Sequence, residues 1–350
     1  MNAVKSATAA ADATITATAY TPVASTNAPP TPDGEAANGY GKLQRFLSAH
    51  RRLIIDYSAW LLLAVLILVG VALSPLFFTT SNLYNVLQQC TIIGVLALGQ
   101  FLVILTGGID LSLGAALALT AMVAALAMPL GAPVAVLLAL ATGLVVGTIS
   151  GAVSVFGNMP PFIVTFGMMA VCRGIALTIT KGERVAAHNS PLAVFGFGWQ
   201  PIAVWGVAIA ILAVVVNRTA FGTYVYAAGG NLEAARVAGI NTKGVLIAVF
   251  AISGLCAGLA GLLSLSRTGV ALPTTGNGYE LQAIAAVAIG GVNMAGGEGR
   301  FSGAVAGVVF MTMLNNILEL NGANPFWSFC VIGFVLWGAI TLRTSLERIR

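Results

Sequence analysis

The sequence contains few charged residues. Asp, Glu, Lys and Arg make up 8% of its 350 residues, whereas a soluble domain carries about a quarter. Between Tyr57 and Cys172 the only charged residue is Asp110. Because an ionised side chain at the bilayer centre costs about 2.5–3.5 kcal/mol, a stretch this poor in charge is typical of a chain that lies in lipid. The composition therefore predicts an all-α polytopic membrane protein.

Sequence features of catalysis and nucleotide binding are also absent. No Gly-x-x-x-x-Gly-Lys-Ser/Thr loop occurs to cradle ATP phosphates. The two histidines, His50 and His188, flank the apolar runs, and the four cysteines lie singly in separate runs, so neither residue type suggests a metal site. We expect no catalytic residue and no cofactor on this chain. Energy for transport would then have to come from another subunit.

Ten apolar runs approach the length needed to cross about 30 Å of hydrocarbon. The predicted spans are Leu53–Leu73, Tyr84–Leu105, Ser112–Met128, Pro133–Phe156, Pro161–Thr180, Pro201–Val216, Gly244–Leu265, Leu281–Ala295, Ser302–Leu318 and Phe326–Leu342. They form a predicted transmembrane domain of residues 46–350. Residues 1–45 are rich in Ala, Thr and Pro, and we expect a disordered cytoplasmic tail there.

Lys and Arg fall mostly on one side of the predicted spans. With the N-terminus inside, the inner side receives Lys5, Lys42, Arg45, Arg51, Arg52, Arg218, Arg236, Lys243, Arg300, Arg343, Arg348 and Arg350, and the outer side receives Lys181, Arg184 and Arg267. This asymmetry satisfies the positive-inside rule and predicts that both termini are cytoplasmic. The net charge of +5 is thus a topology signal and does not imply nucleic acid.

Glycine is abundant, with 41 residues, and recurs at four-residue spacing on three predicted spans. The series are Gly143, Gly147 and Gly151, then Gly254 and Gly258, then Gly303 and Gly307. Small residues at this spacing let helices approach closely in lipid. The pattern predicts tight helix packing at these faces.

A polar island at residues 229–243 separates the sixth and seventh predicted spans, within a loop of residues 217–243. Asn231 can cap a helix start, Glu233 falls in the first turn, and Gly239 can end the helix. A helix from Leu232 to Ala238 would be a rod of roughly 10 Å. Because both of its ends join transmembrane helices, such a rod can pass a push from a soluble partner into the bilayer.

Paired glycines interrupt the apolar pattern in two places. Gly107 and Gly108 break the helix before Asp110 and Ser112, which can cap the next helix. Irregular backbone at membrane depth is tolerated where protein or a water-filled cavity satisfies it, so this break is either a pathway element or only a boundary cap. In the other place, residues 290–300, we expect a tight inner-face turn with Glu298 and Arg300 as surface charges.

Two further polar features lie at the fourth and fifth spans. Arg173 falls within the fifth span, where we expect it either to snorkel to the interface or to pair with Glu280. The turn of residues 156–161 contains paired prolines that fix the direction of the fifth helix. Asn158 and Met159 in this turn either form a constriction or serve only the turn.

Three segments together carry a resemblance to a known family. Glu233-Ala234-Ala235 followed by Gly239 resembles the EAA-x-x-x-G loop of ABC importer permeases, which forms the coupling helix seated on the ATPase subunit. The other two segments are Thr-Gly-Gly-Ile-Asp-Leu-Ser-Leu-Gly at 106–114 and Gly-Tyr-Glu-Leu-Gln-Ala-Ile-Ala-Ala-Val at 278–287. With them, the chain is similar to ribose/xylose/arabinose-type permeases from about Tyr57 to Trp337.

The resemblance implies a type II ABC importer permease fold in the bacterial inner membrane, with a second permease copy and the sugar path at their interface. It also implies an ABC ATPase subunit, which binds ATP, and a periplasmic binding protein that delivers a monosaccharide. The residues implied at the ATPase contact are Glu233, Ala234, Ala235, Arg236 and Gly239. Those implied near the path are Gly108, Asp110 and Ser112.

Two alternatives stay open. A related permease for nucleosides, branched-chain amino acids or a signalling furanose shares the architecture, and the sequence does not name the solute. A secondary transporter would need ionisable pairs in several spans and would have no use for the Glu233 helix.

Overall fold

The computed structural model of the chain describes residue 57, residues 59–187 and 191–324, and isolated positions between 327 and 341. The helices are α1 (Ala59–Leu73), α2 (Thr80–Leu105), α3 (Leu113–Ala127), α4 (Ala132–Phe156), α5 (Pro161–Thr180), α6 (Gln200–Arg218), α7 (Ala220–Gly230), α8 (Leu232–Val237), α9 (Thr242–Thr268), α10 (Tyr279–Ile289) and α11 (Phe301–Leu320). Two short strands are β1 (Val185–Ala186) and β2 (Val270–Ala271). Two 3-10 helices lie at Met128–Leu130 and Pro191–Gly196.

Seven helices in the described residues are long and apolar enough to cross a membrane: α2, α3 with the 3-10 turn after it, α4, α5, α6, α9 and α11. The shorter apolar helices α1 and α10 correspond to the first and eighth predicted spans. The tail predicted at residues 1–45 and most of the tenth predicted span lie outside the described residues.

Where the structure describes both ends of a predicted span, the boundaries agree with the helices to within a few residues, with one clear exception. The prediction Pro161–Thr180 coincides with α5. The eighth span, predicted to run to Ala295, is wrong at its end, because α10 stops at Ile289. Gly291 follows with a φ of 78°, a left-handed conformation that a helix cannot contain.

Helix α9 lies at the centre and packs against α2, α3 and α4. In the most apolar window of α2, 78% of the residues are buried, against 22% in α5 and in α6. A helix that is apolar all round is buried when other helices surround it, whereas an apolar face left open in a membrane protein meets lipid or another chain. Helix α2 therefore belongs to the core, and α5 and α6 lie at the periphery.

The glycine series lie where helices touch backbone to backbone. A methyl group added to Gly143 of α4 would meet the carbonyl oxygen of Gly254 on α9, and one added to Gly147 would meet that of Phe250. On α11, a methyl group at Gly307 would meet the carbonyl oxygen of Ala286 on α10. The predicted tight packing at these faces is confirmed.

The chain connections define two ends of the helical bundle. At one end β1 pairs antiparallel with β2, with Val185 opposite Ala271, which joins the ends of α5 and α9. At the other end lie α8, the turn between α4 and α5, and the loop of residues 290–300 before α11. We call these the strand side and the coupling side.

Candidate functional site: a short capped helix and two helix breaks

Helix α8 begins at an N-cap that the sequence predicts. Asn231 is extended, with φ −159° and ψ 107°, and its Oδ1 accepts the backbone N–H of Ala234 at 2.9 Å. This bond satisfies one of the N–H groups that a helix start leaves without a partner. Glu233 lies in the first turn, where the helix dipole favours a negative charge.

The end of α8 is closed by a Schellman motif. Gly239 has a φ of 85°, its N–H donates to the carbonyl of Arg236 at 3.0 Å, and the N–H of Ile240 donates to the carbonyl of Ala235 at 3.1 Å. Both bonds satisfy last-turn carbonyls, and glycine takes the left-handed position at no steric cost. The helix ends at Val237, one residue before the predicted end. The predicted short, capped rod is therefore present.

The predicted coupling residues lie on different faces of α8. Glu233, Ala234, Arg236 and Gly239 are exposed, and Glu233 pairs with Arg236 at 3.0 Å. Ala235 does not fit an outward-facing set because it is only 5% exposed and packs against the chain.

Sequence reasoning missed Val237, an apolar side chain that is 88% exposed. The sequence places Val237 in the last turn of a polar helix, but it does not show that the side chain points outward. In the structure the side chain points away from the bundle, on the same exposed side of α8 as Glu233 and Arg236.

Helix α7 was not predicted, because residues 217–243 were interpreted as one loop. The hydroxyl of Thr219 accepts the N–H of Gly222 at 3.4 Å, and the helix runs to Gly230. The apolar residues between Phe221 and Ala228 were the available signal. Helix α7 leads directly into Asn231, so α8 is joined to the bundle by a rigid element.

Three glycine pairs meet where α7 ends. A methyl group on Gly229 would meet the carbonyl oxygen of Leu105, and one on Gly296 would lie 2.7 Å from the nitrogen of Gly107. The N–H of Gly297 donates to the carbonyl of Leu105 at 2.9 Å. We call Gly107, Gly229, Gly296 and Gly297 the glycine junction. It brings the end of α2, the end of α7 and loop 290–300 into direct backbone contact.

Loop 290–300 is more than the predicted turn. Glu298 and Arg300 are exposed, as expected. The hydroxyl of Tyr226 on α7 donates to the carbonyl of Gly299 at 2.7 Å. Burial raises the pKa of Tyr226, so the hydroxyl keeps its proton at neutral pH and remains a donor. This bond fixes the loop to α7 a second time.

Asp110 lies in the break between α2 and α3, residues 106–112, and is 1% exposed. Its Oδ1 accepts the N–H of Ser112 at 2.9 Å and the hydroxyl of Ser112 at 2.6 Å. Its Oδ2 accepts the hydroxyl of Ser253 on α9 at 2.8 Å. With its amide group turned to match its neighbours, Gln100 donates to the carbonyl of Asp110 at 3.0 Å. The carboxylate thus ties the α2–α3 break to α9, and the backbone of Asp110 ties it to Gln100 of α2.

The predicted capping of α3 takes a different form. Ser112 holds the N-cap position without a side-chain hydrogen bond to the helix. Asp110 instead accepts the N–H two residues ahead, as in an Asx turn. The side chains of Asp110 and Ser112 both lie inside the core, and their expected role near a solute path stays a prediction.

Helix α5 holds the α2–α3 break from the other side. The hydroxyl of Thr165 donates to the carbonyl of Ile109 at 3.0 Å and accepts the N–H of Leu111 at 3.1 Å. A methyl group on Gly108 would lie 3.5 Å from the Cβ of Pro161, the first residue of α5. The structure therefore brings Gly108 to the start of α5.

Asn158 and Met159 lie in the exposed turn before α5. Asn158 has a φ of 50°, and the carbonyl of Met159 accepts the hydroxyl of Ser154 at 2.9 Å. Nearby on the coupling side, the amine of Lys243 lies 5.7 Å from the centre of the Phe156 ring. The turn is well defined, and the proposed constriction stays a prediction.

Arg173 on α5 is held differently from the expected pair with Glu280. Its guanidinium donates to the carbonyl of Pro273, to that of Thr275 at 3.1 Å and to Oδ1 of Asn277 at 2.6 Å. Glu280 accepts the N–H of Gly278 at 3.1 Å. Arg173 therefore holds the loop through two backbone carbonyls and the side chain of Asn277, while its interaction with Glu280 is electrostatic.

Comparison with known proteins identifies close relatives. The chain is 41% identical to the ribose import permease protein RbsC of Escherichia coli (strain K12) over 304 residues, which cover 81% of this chain and 94% of that protein. It is 40% identical to RbsC of Bacillus subtilis over 80% of this chain and 90% of that protein. It is 33% identical to the fructose import permease protein FrcC of Rhizobium meliloti over 88% of this chain and 89% of that protein.

No solved structure matches the chain significantly. The protein family described as the permease component of branched-chain amino acid transport systems matches residues 82–340. That range contains both helix breaks, the glycine junction and α8. With the match and the relatives above, the chain belongs to this family of transport-system permease components.

Proposed function

We propose that the chain is the permease subunit of an ATP-driven importer that carries a monosaccharide across the bacterial inner membrane. The observation that carries this proposal is α8, a rigid capped helix that presents Glu233, Arg236 and Val237 outward from an otherwise apolar bundle. The relatives are named as import permeases for ribose, fructose, allose and galactose, which supports a monosaccharide as the solute.

The proposed topology is a type II importer permease with ten crossings and both termini in the cytoplasm. Seven long apolar helices and the shorter α1 and α10 are consistent with it. On the coupling side lie Arg218, Arg236, Lys243 and Arg300, the side that the positive-inside rule assigns to the cytoplasm. Helix α8 then faces the compartment that contains ATP.

The proposed partner of α8 is an ABC ATPase subunit, which binds and hydrolyses the ATP. Glu233, Ala234, Arg236 and Gly239 are exposed for contact, and Val237 adds an apolar anchor. Buried Ala235 fixes the helix to the permease. Because ATP is bound and hydrolysed by this partner, we propose no catalytic residue and no cofactor for this chain.

A movement of α8 has a short route into the bundle. Helix α7 joins α8 without a flexible linker. In the glycine junction, the end of α7 lies against Leu105. Leu105 is the last residue of α2 and precedes the α2–α3 break. Because these contacts are between backbones, a displacement of α7 also moves the break that contains Gly108, Asp110 and Ser112.

A second permease copy and a periplasmic sugar-binding protein complete the proposed importer. The mostly exposed apolar surfaces of α5 and α6 leave room for a second copy. We place Asn158 and Met159 at the coupling-side end of the sugar path, because they are exposed beside the start of α5.

A different solute is the second candidate, since the family is described by branched-chain amino acid transport. An ion-driven transporter is less well supported. Asp110, the carboxylate deepest in the bundle, is held by hydroxyl and N–H groups and not by a cation that could serve an ion relay.

Uptake by the reconstituted importer tests the proposal. The chain is purified in mild detergent with its co-purifying ATPase and binding protein, and the complex is placed in vesicles loaded with ATP. We expect uptake of radiolabelled ribose, fructose, allose or galactose that requires both partners and ATP. Uptake of leucine but none of these sugars would support the second candidate. Uptake by the chain alone, driven by an ion gradient, would contradict the assignment.

A further inference from the structure

Loop 272–278, between β2 and α10, enters the bundle to about half its depth. A methyl group on Gly276 would lie 2.6 Å from the carbonyl oxygen of Gly114, the second residue of α3. The start of α3 lies beside Asp110, which is bonded to Ser253 near the middle of the 27-residue helix α9. The loop therefore starts at the strand side and reaches the level of the α2–α3 break.

Polar groups on this loop remain exposed. Thr274 and Asn277 are exposed, and Arg173 is half-buried beside them. We call Arg173, Thr274 and Asn277 the Arg173 patch. A guanidinium has five N–H groups, and three of those on Arg173 bind loop oxygens. Within the described residues, the other two and the amide N–H groups of Asn277 form no hydrogen bond, and Glu280 acts on the guanidinium electrostatically.

Lipid is an unsuitable neighbour for this patch. Unpaired N–H groups cost several kcal/mol in hydrocarbon, and charged residues within membrane helices almost always face a protein interior or a water-filled cavity. Arg173 lies seven residues from the end of α5, roughly 10 Å along the helix axis. The exposed side of the patch is therefore suited to water and not to lipid.

An aromatic side chain lies on the same face of α5. Phe166 precedes Arg173 by two helical turns, so the two share one face, and Phe166 is 55% exposed. Ala170, also exposed, lies between them. Aromatic surface combined with a few placed polar groups is the usual lining of a small-molecule site.

We propose that the Arg173 patch and Phe166 line the sugar path and bind the passing monosaccharide. Arg173 and Asn277 donate hydrogen bonds to sugar hydroxyl oxygens, Thr274 exchanges hydrogen bonds with them, and Phe166 covers the apolar face of the ring. This inference rests on the proposed function for the identity of the solute. That the patch faces water does not depend on which solute is carried.

Thiol labelling of the intact importer tests whether the patch faces water. Asn277→Cys and the control Ile211→Cys are each made with Cys330→Ser, which removes the exposed native cysteine. Ile211, on α6, is 57% exposed and lies in an apolar surface. Because thiolates form and react in water, we expect a membrane-impermeant thiosulfonate to label Asn277→Cys at least about tenfold faster than Ile211→Cys. Equal rates would overturn the proposal.

Sugar transport tests the contact itself. Asn277→Leu removes the amide N–H groups offered to the sugar together with the Oδ1 that accepts from Arg173, and Asn277→Gln can restore both, while the loop carbonyls that hold Arg173 are unchanged in either variant. We expect Asn277→Leu to lower the maximal rate of ATP-driven uptake by about three- to tenfold, the usual effect of one hydrogen bond, and Asn277→Gln to recover most of it. An Asn277→Leu importer with the parent's rate would overturn the sugar contact.

The two experiments separate this inference from the proposed function. If the parent importer carries no sugar with ATP, the proposed function fails, and labelling of Asn277→Cys still reports whether the patch faces water. If the parent carries sugar and Asn277→Cys labels no faster than Ile211→Cys, the importer assignment stands and the inference fails.

Discussion

The α2–α3 break and loop 272–278 are two interruptions of the helical bundle, and α5 holds both. In the first, Asp110 is 1% exposed, and its carboxylate accepts bonds from Ser112 and Ser253. In the second, Arg173 binds three loop oxygens while its neighbours Thr274 and Asn277 stay exposed. The α2–α3 break is thus held by hydrogen bonds that are sealed inside the protein. Loop 272–278 is held by Arg173 and lies beside water. A sealed break suits the transmission of movement, and an open one suits contact with a solute.

The largest effect is expected from breaking the sealed interruption. Asp110→Ala removes the acceptor of three hydrogen bonds and leaves two serine hydroxyls buried without it. We expect a loss of about 3 kcal/mol in the free energy of unfolding, because orphaned buried polar groups are costly. Thermal melting in detergent measures it, with exposed Glu319→Ala as the control. Equal melting temperatures would mean that the carboxylate does not hold the break.

The next-largest effect is expected at the glycine junction, where the end of α7 contacts the last residue of α2. Gly229→Ala places a methyl group against the carbonyl oxygen of Leu105, whereas a methyl group on neighbouring Gly230 meets nothing within 4 Å. We expect Gly229→Ala to cost about 2 kcal/mol of stability through overpacking and to reduce ATP-driven uptake, with Gly230→Ala near the parent in both. Similar uptake by the two variants would remove the junction from the coupling route.

A smaller effect is expected at α8, the proposed contact with the ATPase. Glu233→Lys reverses an exposed charge on α8 and breaks its pair with Arg236. Surface substitutions change stability little, so we expect normal insertion, about tenfold weaker binding of the ATPase and reduced uptake. Co-purification with the ATPase measures the binding, and Glu319→Lys on the strand side is the matched control. Normal ATPase association and uptake in Glu233→Lys would contradict the coupling assignment.

The smallest effect is expected at the open interruption. Arg173→Ala removes the tether of loop 272–278, but water can satisfy the released carbonyls. We expect an effect of about 1 kcal/mol on local opening and little change in global melting. Hydrogen exchange across residues 272–278 should speed up, while exchange across 106–112 stays at the parent's rate. Faster exchange in both segments would show that the two interruptions are not held separately.

Local sequence was sufficient to predict α8, because each of its caps depends on a residue within a few positions: Asn231 at its start and Gly239 at its end. The paired glycines likewise marked the breaks. The partners of those breaks could not be predicted, since the bond between Asp110 and Ser253 joins residues 143 positions apart. Nothing in one sequence says which glycine pairs meet.

Two other differences have specific physical reasons. The apolar residues of α7 were hidden because the polar residues around them suggested a single loop. For Arg173 the sequence offered two alternatives, snorkelling to the interface or pairing with Glu280. Loop 272–278 instead brings its own carbonyls to the guanidinium, and these are acceptors that a count of charged residues does not consider.

Helix α5 grips the α2–α3 break through Thr165 and loop 272–278 through Arg173, eight residues or roughly 12 Å further along. Each interruption keeps its own bonds to α5, so loss of one set leaves the other in place. The distance between the two sets is fixed by the length of helix that separates them. One helix therefore works as a spacer that keeps the two interruptions at different depths.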